Sequence, residues 1–314
     1  MANTTALLID PIYREHLVGR HHPERPERFD AVVQGLQEAG LLDRLGRVDR
    51  RAATEDELLL CHSREYIETA RRDVEAGLPQ LSTGDTDITP NSWDIAVLAV
   101  GGVLNAVDAV VSGKARNAFC AVRPPGHHAT RNRGMGFCLL NNVAIAARHA
   151  QRKHGIERVL IVDWDVHHGN GTQDIFYADP TVLFCSTHQW PLYPGTGRAD
   201  ETGEGAGAGR TMNFPFPAGA GREEILGAIQ KALAPAAEEF RPGLVLISAG
   251  FDSRAGDLLG RFTLTDRDFG DLTRAVMEIA DRHAGGRVVS MLEGGYTLSG
   301  LASASAAHVE ALSQ

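Results

Sequence analysis

The chain has 314 residues, of which 43% are apolar, 23% are charged and 6% are aromatic, a composition typical of a folded globular protein. Its 31 basic and 40 acidic residues leave a net charge of −9, which argues against binding to nucleic acid, since phosphate groups attract basic surfaces. The N-terminal residues lack the features of a signal peptide, and the most apolar run, residues 95–104, is too short to span a bilayer. We therefore expect a cytoplasmic protein without a membrane or nucleic-acid partner.

Six short apolar, β-branched runs predict strands, and four longer stretches with apolar residues at helical spacing predict helices. The predicted strands cover residues 5–9, 117–122, 158–162, 181–185, 244–248 and 287–291. The predicted helices cover residues 92–111, 139–154, 222–240 and 265–284. Apolar strands that alternate with helices indicate an open parallel sheet with helices on both faces. Because there is no internal repeat, we predict a single α/β domain over residues 1–314.

Five of the predicted strands are followed directly by a polar or glycine-rich cluster. These clusters are RPPGHHA at 123–129, DWDVHHGNG at 163–171, STHQW at 186–190, AGFDSRAGD at 249–257 and LEGGY at 292–296. In open parallel sheets, sites form outside the carboxyl ends of the strands. The clusters therefore predict one functional site at that edge of the sheet.

The run DWDVHH has the residue types and spacing of a metal site. If the chain stays extended there, Asp163, Asp165 and His167 project to one side, and Asp252 from another strand end can join Asp165 and His167 around a cation. Two carboxylates and one imidazole leave a position open for water, which is typical of a catalytic metal site. Zn²⁺ is the first candidate, and Fe(II) and Mn(II) accept the same mixed ligand set.

Two further features could supply proton transfer and oxyanion stabilisation beside such a metal. His127 and His128 follow a stiff Pro-Pro-Gly turn, and Asp163 and Asn170 are natural partners to orient them. An imidazole near an activated water can accept its proton and return it to a leaving group. Tyr296 follows two glycines, and its phenol can donate to a developing oxyanion.

The remaining histidines and the cysteines predict no chemistry. The His21-His22 doublet lies in a charged segment, RHHPERPER, which indicates a solvated loop. His168 and His188 follow strand ends, but the sequence assigns them no role. The four cysteines have no paired spacing, which indicates reduced and mostly buried thiols.

Together these segments resemble the histone deacetylase and acetylpolyamine amidohydrolase superfamily, and specifically its class II-like bacterial members. The matching motifs are HPERPER at 22–28, RPPGHHA at 123–129, GMGFCLLNN at 134–142, DWDVHHGNGTQDIF at 163–176, PLYPGTG at 191–197, ISAGFDSRAGDLLG at 247–260 and LEGGY at 292–296. The resemblance implies an open α/β fold of the arginase–deacetylase type. It also implies a zinc-dependent hydrolase that removes acetyl groups from an acetylated lysine side chain or an acetylated small amine.

The resemblance implies a role for each site residue. The Zn²⁺ ligands would be Asp165, His167 and Asp252. The catalytic residues would be His127, His128, Tyr296, Asp163 and Asn170, with His128 as general base and acid. A K⁺ ion would bind near the zinc at Asp163, Asp165, His167, Ser186 and Thr187. Phe137 and Tyr193 would flank the acetyl-lysine tunnel, the Gly136 carbonyl would accept from the substrate amide, and Arg28 would line an internal channel.

Two positions depart from the patterns of some relatives. Some family members carry Asp where this chain has Asn170, a change that should lower the basicity of His128 while keeping its tautomer fixed. Polyamine-specific relatives carry an acidic residue seven positions after the last zinc-binding Asp, where this chain has Leu259. We therefore expect acetyl-lysine-like or broad acetylamide substrates, although Asp85 and Asp87 could still engage a cationic one.

Three alternatives to this function stay open at the level of sequence. The first is an acetylpolyamine amidohydrolase. The second is a binuclear manganese ureohydrolase on the same fold, which would need further carboxylates to bridge two metals. The third is a non-catalytic module that binds acetyl-lysine. The sequence also leaves the physiological substrate and the oligomeric state open.

Overall fold

Eight strands form one open sheet in the structure, a computed structural model described here for residues 4–314. The strands are β1 (Thr5–Leu8), β2 (Gly46–Arg47), β3 (Asn117–Cys120), β4 (Val159–Asp163), β5 (Val182–Gln189), β6 (Thr211–Phe216), β7 (Leu244–Ala249) and β8 (Val288–Leu292). Their order is β2-β1-β3-β8-β7-β4-β5-β6, and every neighbouring pair is parallel. All strands therefore end at the same side of the sheet, which we call the carboxyl edge.

Within those residues, ten α-helical segments accompany the sheet. They are α1 (Glu27–Glu38), α2 (Glu55–Leu58), α3 (Arg64–Glu75), α4 (Ser92–Val111), α5 (Asn142–His154), α6 (Asn170–Phe176), α7 (Arg222–Gly227), α8 (Ala234–Phe240), α9 (Asp266–His283) and α10 (Leu298–Leu312). One group, α1, α9 and α10, packs together on one face, and α4 packs with α5 on the other. A π-helical turn, Ala228–Leu233, joins α7 to α8, so the predicted helix over residues 222–240 is one continuous helical stretch.

All six predicted strands are present, while β2 and β6 were not predicted. β2 has only two residues, too few for a periodic signal. β6 contains Pro215, and proline argues against a strand because it has no backbone N–H. β6 lies at the end of the sheet, where one N–H fewer is tolerated.

The helix α4 extends beyond the apolar run of residues 95–104 at both ends. It has 20 residues, and by length and composition it is the one helix of residues 4–314 that could cross a membrane. Some 61% of its most apolar window is buried, and it packs on β1, β3, β8 and α5. These contacts are those of a core helix that covers one face of the sheet.

The interior of the sheet explains why its strands read as continuously apolar. All residues of β1, β3, β4, β5, β7 and β8 are buried, because helices cover both faces.

All four cysteines are buried and unpaired, in agreement with the predicted reduced thiols. Burial raises the pKa of Cys61 to about 12, which keeps this thiol protonated.

Candidate active site and metal centre

Asp165, His167 and Asp252 come together at the carboxyl edge. Asp165 and His167 lie in the turn after β4, and Asp252 lies in the turn after β7, the strand that pairs with β4. One ligand atom from each lies within 4.8 Å of the others. His167 Nδ1 is 3.0 Å from Asp165 Oδ1 and 3.2 Å from Asp252 Oδ2. The three residues predicted to hold zinc therefore form one cluster.

The chemistry of this cluster fits a divalent cation. Asp165 and Asp252 are fully buried, and apart from its close approach to His167 Nδ1, Asp252 Oδ2 has no polar partner that the structure records in residues 4–314. Burial, and then the negative charge of Asp165, raises the pKa of Asp252 to about 7, because two adjacent buried carboxylates destabilise each other's charge. A Cβ at Gly294 would overlap Asp252 Oδ2, so glycine is required beside the cluster.

Asp163 lies outside this cluster, as expected, but the extended backbone expected for residues 163–167 is not present. β4 ends at Asp163, and the chain bends at residues 165–167, so the alternation of a strand does not continue. The Asp163 carboxylate instead faces His127, with its Oδ2 2.9 Å from the ring Nδ1. Its Oδ1 accepts the Asp165 N–H over 3.1 Å, which holds the turn that carries the metal ligands.

His127 and His128 lie side by side in the turn after β3, with ring centroids 4.0 Å apart. His127 Nδ1 meets Asp163, and His128 Nδ1 lies 2.8 Å from Asn170 Oδ1 at the start of α6. The two partners expected from the sequence are therefore in contact with the pair. With Asn170 Oδ1 as acceptor, His128 carries its proton on Nδ1 and leaves Nε2 free.

The two histidines have opposite electrostatic environments. Burial alone would lower the pKa of His127, but the negative charges of Asp163 and then Asp165 raise it to about 10. Burial, followed by the positive charges of His127 and His167, lowers the pKa of His128 well below its usual value. At neutral pH, His127 is therefore the cation of the pair and His128 is neutral.

Glu293 is a positioning residue that was not predicted from the sequence. Its Oε2 accepts the N–H groups of Gly126 (2.6 Å) and His127 (3.1 Å), and its Oε1 accepts the Ser248 hydroxyl over 3.1 Å. Burial is the main reason that the pKa of Glu293 rises to about 7. This carboxyl group connects the turns after β3 and β8 to the end of β7. A charged residue directly after an apolar strand was the available signal.

Tyr296 lies in the turn after β8, where Gly295 adopts φ +120°. Its backbone N–H donates to Asp257 Oδ2 over 2.8 Å, and the Arg28 guanidinium lies 5.0 Å from the ring centroid. Burial raises the pKa of the phenol well above its usual value. The hydroxyl therefore remains protonated and available as a donor.

A cavity of about 380 Å³ opens over these groups. Its lining brings together the predicted substrate residues and the catalytic candidates, namely Asp85, His128, Gly136, Phe137, His167, Leu192, Tyr193, Leu259 and Tyr296. The rings of His128 and Tyr193 are 5.1 Å apart, and those of Phe137 and Tyr296 are 6.0 Å apart. A larger groove of about 650 Å³ between α1 and α10 has no histidine in its lining, so we assign the chemistry to the smaller cavity.

Of the two acidic loop residues left unplaced by the sequence, only Asp85 lines the cavity. Its Oδ1 accepts the Gly136 N–H over 2.9 Å and lies 3.3 Å from the Tyr193 hydroxyl. It therefore connects both walls of the entrance while its side chain stays exposed. Asp87 accepts from Gln80 Nε2 over 2.7 Å instead.

The structure gives His168 and His188 a place that the sequence did not predict. Both rings are buried beneath the loop of residues 191–197, which carries Tyr193, with centroids 4.7 Å apart. His168 Nδ1 is 2.8 Å from Thr196 Oγ1, and His188 Nε2 is 2.8 Å from the Gly197 carbonyl oxygen. They support the cavity wall.

His22 corrects the expectation of a solvated doublet. His21 is exposed, but His22 is half-buried, and its ring meets Phe137 edge-on at 4.5 Å between centroids. The charged segment therefore packs behind one wall of the cavity. The arginines of this segment made it look like a solvated loop in the sequence. Arg28 is nevertheless fully buried and donates to the carbonyl oxygens of Gly295 and Glu293.

Comparison with known proteins agrees with this geometry. Residues 22–312 match the family model "Histone deacetylase domain". The chain is 40% identical over 298 residues to a "Probable deacetylase" of Archaeoglobus fulgidus, covering 94% of this chain and 82% of that protein. It is 44% identical over 291 residues to the human "Polyamine deacetylase HDAC10", covering 89% of this chain and 43% of that protein. The crystal structure of the HDA15 HD domain superposes with a TM-score of 0.93 at 37% identity, covering 99% of this chain and 88% of that one.

The chain belongs to the histone deacetylase family. The predicted family, the open α/β fold and the prediction of a zinc-dependent deacetylase are confirmed. Among residues 4–314, the cluster of Asp165, His167 and Asp252 is joined by no further carboxylate, which disfavours the binuclear ureohydrolase.

Proposed function

We propose that this deacetylase acts on acetyl-lysine-like side chains. The observation that carries the proposal is a cavity of about 380 Å³ whose lining combines His167 of the metal-ligand cluster with the rings of Phe137 and Tyr193. Such walls suit an uncharged aliphatic chain that ends in an acetamide. Leu259 also lines the cavity, where it offers an apolar surface instead of a partner for a distal ammonium group.

Asp165, His167 and Asp252 would hold the zinc ion. A zinc ion bound there supplies a Lewis acid that polarises a carbonyl oxygen and activates water for attack. The complete burial of both carboxylates supports this assignment, because two adjacent buried carboxylates are costly without a cation.

His128, His127 and Tyr296 would carry the remaining steps. His128 Nε2 accepts the proton of the attacking water and returns it to the leaving amine. His127, kept cationic by Asp163, stabilises negative charge that develops beside it. Tyr296 donates its hydroxyl to the acetyl oxygen as the oxyanion forms, and the Gly136 carbonyl accepts the N–H of the substrate amide.

A potassium ion beside the zinc site is part of the proposal. Asp163 of β4 and Ser186 of β5 are register partners, and the neighbouring Thr187 hydroxyl is buried with no hydrogen-bond partner in residues 4–314. Oxygen ligands from two adjacent strand ends suit a hard cation. We also propose that the protein acts in the cytoplasm, because its four cysteines are unpaired and a reducing compartment keeps thiols in that state.

An acetate-release panel tests the substrate class. We expect acetyl-lysine peptides to be hydrolysed faster than acetylpolyamines, and Leu259→Glu to shift the preference towards acetylpolyamines. Leu258→Glu is the matched control, because Leu258 is 67% exposed and lies outside the cavity lining. It adds the same charge and should leave the preference unchanged. A strong native preference for acetylpolyamines would refute our interpretation of Leu259.

Acetylpolyamine hydrolysis is the second candidate, since Asp85 places a carboxylate at the cavity entrance. An exposed carboxylate there can attract a cationic substrate. Asp85→Asn separates the two candidate functions. It should raise KM for acetylpolyamines far more than for a neutral acetyl-lysine peptide if the second candidate is correct.

A further inference from the structure

A second cluster of potential metal ligands lies outside the active site, between α4 and α5. Asp108 near the end of α4, His149 within α5 and His154 at the end of α5 each offer one ligand atom, and these atoms lie within 4.8 Å of one another. In residues 4–314, this is the one such group besides the active-site cluster.

Both imidazoles are directed at the same carboxylate oxygen. His149 Nε2 lies 2.8 Å and His154 Nε2 lies 2.7 Å from Asp108 Oδ1. Residues five apart on a helix lie roughly 140° apart around its axis, so the two rings meet because Asp108 projects between them from the facing helix. The cluster therefore depends on the packing of α4 against α5, and α5 alone would not bring the two rings together.

The surroundings of the cluster favour the binding of a cation. His149 is 4% exposed, whereas His154 and Asp108 are 18% and 27% exposed, so the site is anchored inside and open to solvent outside. Glu57 Oε1 of α2, which pairs with Arg51, lies 3.7 Å from His149 Nδ1, so a second carboxylate lies behind this ring.

The helix ends add a favourable field. α4 and α5 both end within a few residues of the cluster, and the C-terminal end of a helix carries partial negative charge that attracts cations. Lys153 Nζ now lies 2.7 Å from Asp108 Oδ2, with a side chain that is 53% exposed. This flexible ammonium group can move into solvent when another cation takes its place.

We propose that Asp108, His149 and His154 form a second binding site for a divalent transition-metal ion of the zinc class. Two imidazole nitrogens and one carboxylate oxygen are a ligand set that zinc accepts, with a further position left for water. Both helices lead from this cluster into the starts of strands β3 and β4, on the side opposite the carboxyl edge. The ion would therefore tie α4 to α5 without contacting substrate.

Metal counting on the active protein tests the site. Protein that already holds one tightly bound zinc per chain is titrated with Zn²⁺ by calorimetry, and bound metal is counted by elemental analysis. We expect a second equivalent in the wild type and its loss in His154→Ala and in Asp108→Asn, with acetate release unchanged. His283→Ala is the control, because His283 also pairs with a carboxylate, Glu238 Oε2 at 3.3 Å, and it should keep both equivalents.

Thermal unfolding gives an independent readout. A ligand that binds only the folded state raises the melting temperature, so added Zn²⁺ should stabilise the wild type and His283→Ala but not His154→Ala. His154 is half-buried at a helix end, so its removal leaves the core intact. A wild-type stoichiometry of one, or a second equivalent that persists in both cluster variants, would overturn the proposal.

Discussion

Replacing Asn170 by Asp tests whether His128 is the general base. Asn170 Oδ1 lies 2.8 Å from His128 Nδ1, so the variant places a negative charge at hydrogen-bond distance from this ring. The same contact already exists at the neighbouring histidine, where Asp163 is the nearest of the negative charges that raise the pKa of His127 to about 10. The substitution therefore makes the environment of His128 resemble that of His127.

The direction and size of the effect follow from this contact. A carboxylate at this distance raises the pKa of an imidazole by about 1–3, or about 1.4–4 kcal/mol of preference for the protonated form. A general base acts in its unprotonated form, so a higher pKa moves the acidic limb of the kcat/KM profile to higher pH by the same amount. At a pH below that limb, the activity of the variant should be about tenfold lower for every pH unit by which the limb has moved.

The assay is acetate release from one acetyl-lysine peptide between acidic and alkaline pH, for the wild type and Asn170→Asp. Asn132→Asp is the control, because Asn132 is exposed and its substitution adds the same charge away from His128. We expect its profile to coincide with that of the wild type. If the acidic limb of Asn170→Asp does not move, His128 is not the group whose deprotonation limits the rate.

Three further predictions concern the cavity and its support. Tyr296→Phe keeps the ring but loses the hydroxyl, and kcat should fall about 10²–10³-fold while elemental analysis shows unchanged zinc; near-normal turnover would exclude the oxyanion role. Gly294→Ala forces a methyl group against the metal-ligand carboxylates, so zinc content and acetate release should fall together. Thr196→Val removes the hydrogen-bond partner of His168, which contributes about 1 kcal/mol. Calorimetry should show a lower melting temperature, and KM should rise more than kcat falls.

The position of the site could be predicted from the sequence because its residues directly follow apolar strands. To predict that Asp165, His167 and Asp252 lie together, it was enough to know that the carboxyl ends of parallel strands lie at one edge of the sheet. The order of the strands could not be predicted in this way. That β7 lies beside β4, and so brings Asp252 to Asp165, depends on long-range packing that no local pattern encodes.

Contacts between residues far apart in the sequence escaped prediction for the same reason. Asp85 and Tyr193 are separated by 108 positions and meet only in the folded chain. Glu293 reaches back 166 positions to the His127 N–H. The helix α10 was not predicted because its sequence, LSGLASASAAHVEAL, consists mostly of small residues and shows only a weak helical periodicity of apolar residues. It nevertheless packs closely on α1 and α9.

The strand order has a consequence for how the protein acquires its metal. β8 and β7, from the last third of the chain, lie in the middle of the sheet, between β3 and β4. During synthesis, the early strands cannot join into one sheet until both late strands have been made, and such non-local pairing is slow. The ligand set is incomplete until Asp252 arrives with β7. We therefore expect loading with zinc to be a late step of folding, and refolding should show metal uptake that coincides with closure of the sheet.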